Sequence, residues 1–358
     1  MLVTTARKAQ QRPGFKPAGD AAKRRTTRGV ADAHFFAYRR GAKDALLSLR
    51  KGTPLAAISR ALDGGRAFKV LELFGLTGPK VVADMPQFAG MLRTGHKIFE
   101  ESALMNLELA PDQFRRRGIL KRDLAESELE LGFRFDIFNT TSVAFIQQSD
   151  FQLVRGLDAK TTAGLRRILA ASFTEGIPPA ASARLIRDTV GLTAKQMDMV
   201  SNFRAALSGN KLGGPLRAAL RRQLRDRRFD ASLIRAIERG QVLLAAQQEK
   251  MVARFASRLL DFRANNIART ETIRAANAGT QALWRQMTNA GILIRDEVRR
   301  FWIVTRDDRL CPICAPIPGM NPEGVGIDQP FQTPVGEIMF APAHSQCRCD
   351  QALDTVTP

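Results

Sequence analysis

The sequence predicts a mainly α fold: a multi-helix body followed by a small Cys/His-rich α+β module at the C-terminus. Three observations predict it. Helix start and stop signals recur through the first 290 residues, strand-like runs cluster after them, and every cysteine lies beyond residue 310.

The helical signals are local and chemical. Thr53-Pro54 offers an N-cap followed by Pro at the first helical position, Leu55, Ile58 and Leu62 share one face, and Gly64-Gly65 stops the helix. Pro178-Pro179 opens a second helix with Leu185, Ile186 and Val190 as its stripe. Thr193 and Gln196 form a capping box, in which each side chain bonds the other residue's backbone N–H. The helix it begins carries Met197, Val200 and Leu207 inward and ends near Gly209-Asn210. From Asp230 to about Phe262 the apolar positions Leu233, Ile234, Ile237, Leu244, Met251, Phe255 and Leu259 predict one long helix, with Gly240 placed to break or bend it. Asn265-Asn266 marks the next junction. Another helix then starts at Ala268-Arg269-Thr270-Glu271-Thr272 and reaches about Asn289.

A helix over roughly 215–228 places Arg217, Arg221, Arg225 and Arg228 at spacings of four, four and three, along one face beside Leu216, Leu220 and Leu224. Like charges so aligned repel by a few tenths of a kcal/mol per pair, which an anionic partner relieves. These four arginines are the candidate nucleic-acid-binding residues, with a solvated face as the alternative. No aromatic residue interleaves with them, so stacking on single strands has no support.

Charge divides the chain. The net charge is +20 over 358 residues. Residues 296–358 hold five basic and nine acidic residues, a balance of −4 that leaves +24 on residues 1–295. Such an excess predicts a polyanionic neighbour, either DNA or an acidic protein surface. Residues 1–30 set Arg7, Lys8, Arg12, Lys16, Lys23, Arg24, Arg25 and Arg28 against Asp20 alone, and read as a flexible basic arm. After it we expect an N-terminal helical region at 31–130, a helical body at 131–266 and the C-terminal module at 267–358. Short strand-like runs fall at Phe301–Thr305 and Glu337–Phe340. No apolar run approaches the ~20 residues that span a bilayer, and the first residues turn basic too early for a secretory signal. A cytoplasmic, thiol-reducing setting follows, in which cysteines are metal ligands or structural thiols before they are disulfides.

All four cysteines lie in the module, as Cys311-Pro-Ile-Cys314 and His344-Ser-Gln-Cys347-Arg-Cys349. The C-x-x-C turn can aim two thiolates at one centre, and the second group offers three more ligands. His344 is one of three histidines, with His34 and His96. Tetrahedral zinc needs four S or N ligands at ~2.0–2.3 Å. Cys311, Cys314, Cys347 and Cys349 suffice, and His344 can replace one of the last two. A module of about 60 residues with few large apolar side chains has a thermodynamic use for a metal, since structural zinc adds on the order of 10 kcal/mol. The expected cofactor is therefore a structural Zn2+. With four protein ligands no coordination position stays open for catalytic water.

The order of these C-terminal residues resembles a known family. The helix beginning Ala268-Arg269-Thr270-Glu271, the tryptophan Trp302, Asp308-Arg309-Leu310-Cys311-Pro-Ile-Cys314 and Pro342-Ala343-His344-Ser-Gln-Cys347-Arg348-Cys349 together look like the Mu F-like minor head, or head-morphogenesis, proteins of tailed phages. Upstream, Phe135-Asp136-Ile-Phe-Asn139, Gly176-Ile-Pro and Gly191-Leu-Thr-Ala resemble that family's helical half. Ser345 departs from the pattern, since members usually carry Pro after the His. The resemblance covers roughly residues 130–350. It implies a minor capsid protein at the portal vertex of the phage head, made in the host cytoplasm, that supports head assembly and DNA packaging or ejection. Its implied partners are the portal protein and packaged double-stranded DNA, with scaffold or major capsid protein as further candidates and no membrane.

Two other readings use the same residues. A sequence-independent DNA-binding protein with a structural zinc module shares the charge and the cysteines, but zinc modules that contact DNA are usually basic and this one is acidic. An enzyme lacks a convergent site. Glu128 and Glu130 point about 200° apart on a helix, and there is neither a Gly-rich phosphate loop nor an H-E-x-x-H. No catalytic residue is expected.

Overall fold

The computed structural model describes residues 26–51, 53–63, 67–74, 89–116, 134–144 (without 138 and 141), 159–166 (without 164), 179–208 and 214–355 (without 306, 308 and 309). The arm up to residue 25, Gly64-Gly65, Glu128 and Glu130, Gly176–Pro178 and Gly209-Asn210 lie outside them. Among the described residues the chain is mainly helical, with strands only at the C-terminal end, as the apolar periodicity predicts. The helices are α1 (Thr27–Lys51), α2 (Leu55–Asp63), α3 (Ala67–Leu73), α4 (Ala89–Arg116), α5 (Pro179–Thr189), α6 (Ala194–Ser208), α7 (Gly214–Leu220), α8 (Asp230–Glu238), α9 (Ala245–Asn289) and the single turn α10 (Ile317–Met320). Strands β1 (Val298–Ile303), β2 (Phe331–Thr333), β3 (Gly336–Ile338) and β4 (Asp350–Thr355) complete the order. No described helix is long and apolar enough to cross a membrane.

Two compact units emerge, both discontinuous in sequence, where the sequence reading expects consecutive segments. One comprises Met1–Arg39, Gly90–Ser149 and Asn266–Pro358; the other comprises Arg40–Ala89 and Asp150–Asn265. Residues 27–30 of the expected arm are helical, because Thr27 already opens α1.

In the second unit several local signals act as read. Ile58, Ala61 and Leu62 of α2 are buried, as are Ile186 and Val190 on and just after α5. The capping box forms: Thr193 N–H donates to Gln196 Oε1 at 3.1 Å and Gln196 N–H to Thr193 Oγ1 at 3.3 Å. Met197, Val200, Phe203 and Leu207 of α6 face inward, and Phe203 stacks on Phe255 at 4.4 Å. Thr53 differs from expectation. Its hydroxyl donates to the Leu73 carbonyl at 3.1 Å, tying the start of α2 to the end of α3 instead of capping.

Three other expectations need correction. The helix over 215–228 stops at Leu220 and gives way to turns and a short 3-10 segment, Arg227–Phe229. The helix from Asp230 breaks at Gly240, as that glycine is placed to do, with a left-handed φ of 59° that Gly adopts without a Cβ clash. Two of that helix's expected apolar positions do not pack inward: Leu244 lies outside the helices and is exposed, and Ile234 is exposed on α8. Asn265-Asn266 does not end a helix, because α9 runs through it for 45 residues, although the two units divide between these residues. An interior Asn costs only ~0.7 kcal/mol or less in a helix, whereas Leu259, Leu260, Ala264 and Ala268 are all buried around it. Burial outweighs propensity.

The first unit is built on α4 and the C-terminal part of α9, with the start of α1. Gly279 lets two helices touch: a Cβ there would lie 2.0 Å from the Phe99 carbonyl oxygen. Beside this contact Thr280 Oγ1 meets Thr27 Oγ1 at 3.2 Å and Ser102 Oγ at 3.1 Å, and accepts from Asn106 Nδ2 at 2.9 Å. The hydroxyls and amide satisfy one another where water is excluded. An apolar cluster of Leu283, Trp284, Met287, Leu293, Val298, Ile327 and Leu353 links the end of α9 to the strands.

Strands β1 and β4 pair antiparallel, with Arg300 opposite Leu353 and Trp302 opposite Gln351; β2 and β3 form a hairpin with Phe331 opposite Ile338. The strand expected at 301–305 begins earlier, at Val298. That shift puts Val298, Arg300 and Trp302 on the inward face. Arg300 is thus fully buried. Its guanidinium donates to the carbonyls of Gly326 at 3.1 Å, Met339 at 2.6 Å and Gln329, and lies 5.0 Å from the Phe331 ring. Burial lowers its pKa to about 10, which leaves it charged at neutral pH.

Candidate metal centre

The metal candidates sit on two short segments, residues 311–314 and 344–349. Cys311 and Cys314 occupy the turns before α10, and Ala315 N–H donates to the Cys311 carbonyl at 3.1 Å, curling the C-x-x-C. Cys314 N–H donates to Cys311 Sγ at 3.3 Å, and Cys349 N–H to Cys347 Sγ at 3.4 Å. Such N–H donors favour the ionised sulfur. His344, Cys347 and Cys349 lie on the loop that leads into β4.

Two groups result, Cys311/Cys314/His344 and Cys314/Cys347/Cys349, with all ligand atoms of each group within 4.8 Å of one another. Cys314 belongs to both. His344 Nε2 lies 2.9 Å from Cys311 Sγ and 3.1 Å from Cys314 Sγ, and Cys314 Sγ lies 3.6 Å from Cys347 Sγ. Around a tetrahedral ion with metal–sulfur bonds of ~2.3 Å, sulfurs are separated by ~3.8 Å, so the observed approach suits a shared centre. The other imidazole nitrogen, Nδ1, is 2.8 Å from the Ser345 carbonyl oxygen. A carbonyl only accepts, so Nδ1 carries the proton and Nε2 presents its lone pair to the thiols.

Electrostatics favour a cation here. Cys314, Cys347 and Cys349 are buried and free. Hydrogen bonds from Cys314 and then Cys349 pull Cys347 well below the ordinary thiol range. Cys314 is pushed up, by its hydrogen bonds to Cys347 and Cys349 and then by burial. At Cys349 the bond with Cys314 lowers the pKa, but the bond with Cys347 and burial outweigh it, raising the thiol to about 12. One thiolate thus suppresses ionisation of its neighbours. A bound cation removes that conflict and lets all the ligand sulfurs ionise.

The cluster packs with Trp302, Ile317, Val325, Phe331 and Ala341 in one small core, and the Trp302 and Phe331 rings meet edge to face at 5.3 Å. The ligand loop also rests on α9. Gln346 takes a left-handed φ of 62°, which turns its N–H onto Thr270 Oγ1 at 3.1 Å, and its side-chain amide bonds Asn266. No sequence signal connects Thr270 and Asn266 to residue 346, which lies 76 residues beyond Thr270.

The four candidate DNA-binding arginines do not share a helix face. Arg217 is exposed on α7 and Arg221 is exposed just after it. Arg225 forms two 2.9 Å bonds to Asp230. Arg228 grips Asp226 through Nε at 3.0 Å and Nη2 at 2.6 Å. The physical reason is the like-charge conflict itself. Leaving the helix after Leu220 lets each of these two guanidiniums find a carboxylate, which an extended helical row denies them. Asp226 is drawn down to about 2, chiefly by its side-chain bonds to Arg228.

Comparison with protein-family models, curated proteins and solved structures returns no match to this chain.

Proposed function

We propose that this chain is a minor capsid, head-morphogenesis protein of a tailed phage that docks at the portal vertex and carries one structural zinc ion in its C-terminal module. The carrying observation is convergence. The residues most specific to the resemblance, Cys311, Cys314, His344, Cys347 and Cys349, meet in one cluster, which rests on Thr270 of the Ala268–Glu271 helix segment and packs beside Trp302. Sulfur-rich ligands with one imidazole suit zinc over the oxygen-seeking cations. The role of the ion is structural: its ligands close a loop onto β4 and α10 in a module with a small core.

The acidic balance of residues 296–358 suits contact with a basic protein surface, and the +24 on residues 1–295 suits packaged DNA. A low-copy protein can be counted only by docking to a unique vertex, which supports portal as partner over the repeated shell lattice. The test is a phage lacking this gene. Infectious particles should fall while shell-protein synthesis stays normal, and pull-down of portal from procapsids should recover the chain. Null particles that infect normally, with no co-purification of portal, would refute this reading and favour a free DNA-binding protein with a zinc module.

A further inference from the structure

The arginine row at 217–228 is not a helix face, so any DNA contact must lie elsewhere on the basic body. A different surface presents itself in the second unit. An open depression of about 580 Å³ is lined by Arg228, Phe229, Lys250, Ala253, Arg254 and Ser257. We propose that this groove binds the phosphodiester backbone of double-stranded DNA. The inference rests on DNA being the neighbour of the basic body.

The groove has two walls. Lys250, Ala253, Arg254 and Ser257 stand at i, i+3, i+4 and i+7 on α9, which places them on one helix face. The 3-10 segment supplies Arg228 and Phe229 opposite. Lys250 and Arg254 are exposed and form no ion pair with any described residue. Neighbouring carboxylates are already committed: Glu249 to Arg204, Asp230 to Arg225, and Asp226 to both Arg228 and Arg258, the last at 3.5 Å. Arg228, Lys250, Arg254 and Arg258 therefore face a single local carboxylate, Asp226, and the groove keeps a positive excess. Lys250 and Arg254, one turn apart, repel each other until an anion bridges them.

Charge complementarity selects a polyanion, and Ser257 adds a hydroxyl donor of the kind that bonds phosphate oxygens. Phe229, half-buried, is the one aromatic among these lining residues, so successive bases have no series of rings to stack on. That favours a duplex backbone over a single strand.

The test compares full-length, zinc-loaded wild type with K250Q/R254Q and, as a control, R217Q/R221Q. Anisotropy of a labelled 20-bp duplex of arbitrary sequence is read between 50 and 200 mM salt. Two lost phosphate contacts should flatten the slope of log K against log salt by about 1.8 in K250Q/R254Q, with a thermal melt matching wild type, because both side chains are exposed. An unchanged slope in K250Q/R254Q overturns the groove, and more so if R217Q/R221Q alone flattens it. Wild type that binds no duplex at 50 mM salt overturns both the groove and the DNA partner, while portal pull-down still judges the minor-head reading separately. Tighter binding to polyglutamate than to duplex, lost in K250Q/R254Q, assigns the groove to an acidic protein and also overturns the proposal.

Discussion

Arg300 is the most informative residue to perturb, because it is a fully buried cation whose bonds go to uncharged acceptors. Replacement by Met keeps an apolar stem of similar length and removes the guanidinium. The carbonyls of Gln329 and Met339 and the Gln351 side-chain oxygen, 3.3 Å away, then lose this donor, while the Gly326 carbonyl keeps the Gln329 N–H at 3.2 Å. An unsatisfied buried acceptor costs about 1–3 kcal/mol. Relief from burying a charge offsets part of that sum, so the expected net loss is ~3–5 kcal/mol, in the range for breaking a buried charged network. For a unit of this size the melting temperature should fall on the order of 10 °C. The assay is thermal melting of zinc-loaded protein followed by tryptophan fluorescence, since Trp302 lies in the affected core. Arg299→Met on the other face of β1 serves as control and should change stability by less than ~0.5 kcal/mol. A loss below ~1 kcal/mol in Arg300→Met, equal to the control, would refute the view that Arg300 ties β1 to the two loops.

Other expectations follow from single contacts. Gly279→Ala places a methyl 2.0 Å from the Phe99 carbonyl oxygen, so α4 and α9 must separate; a cost of ~3 kcal/mol or more is expected by chemical denaturation, and a neutral result would mean the helices do not approach so closely. Asp226, held near 2 by Arg228, should titrate well below an ordinary carboxylate by NMR. Its folded pKa is depressed, so its stabilising contribution is present above pH ~4 and is lost as pH falls toward 2. Arg228→Gln should move the midpoint back toward 4, and an unmoved midpoint would count against the pairing.

How much of this was legible in the sequence depends on how local the cause is. The box of Thr193 and Gln196, the start at Pro179 and the stripe of α2 were legible because residues three or four apart decide them. Continuity of α9 through Asn265-Asn266 was not, since buried residues on both sides override the weak preference of Asn. The arginine row failed for a related reason: Asp226 and Asp230 capture Arg228 and Arg225, and spacing alone does not show which cations have partners. Arg300 breaks the rule that inward strand positions are apolar, and only the carbonyls that surround it reveal why. At the site, motif spacing named the five candidate ligands that converge. The support from Thr270 and Asn266 was hidden, because a loop resting on a distant helix leaves no periodic mark.

Four of the candidates Cys311, Cys314, His344, Cys347 and Cys349 should bind one metal ion that holds the C-terminal module closed. Elemental analysis of protein purified without added metal, read together with hydrogen exchange before and after chelation, tests it most directly. About one zinc per chain is expected, and a strong chelator should expose residues 298–355 to exchange while α5 and α6 stay protected. Protein without metal, whose four cysteines all react freely with a thiol reagent in the native state, would contradict it.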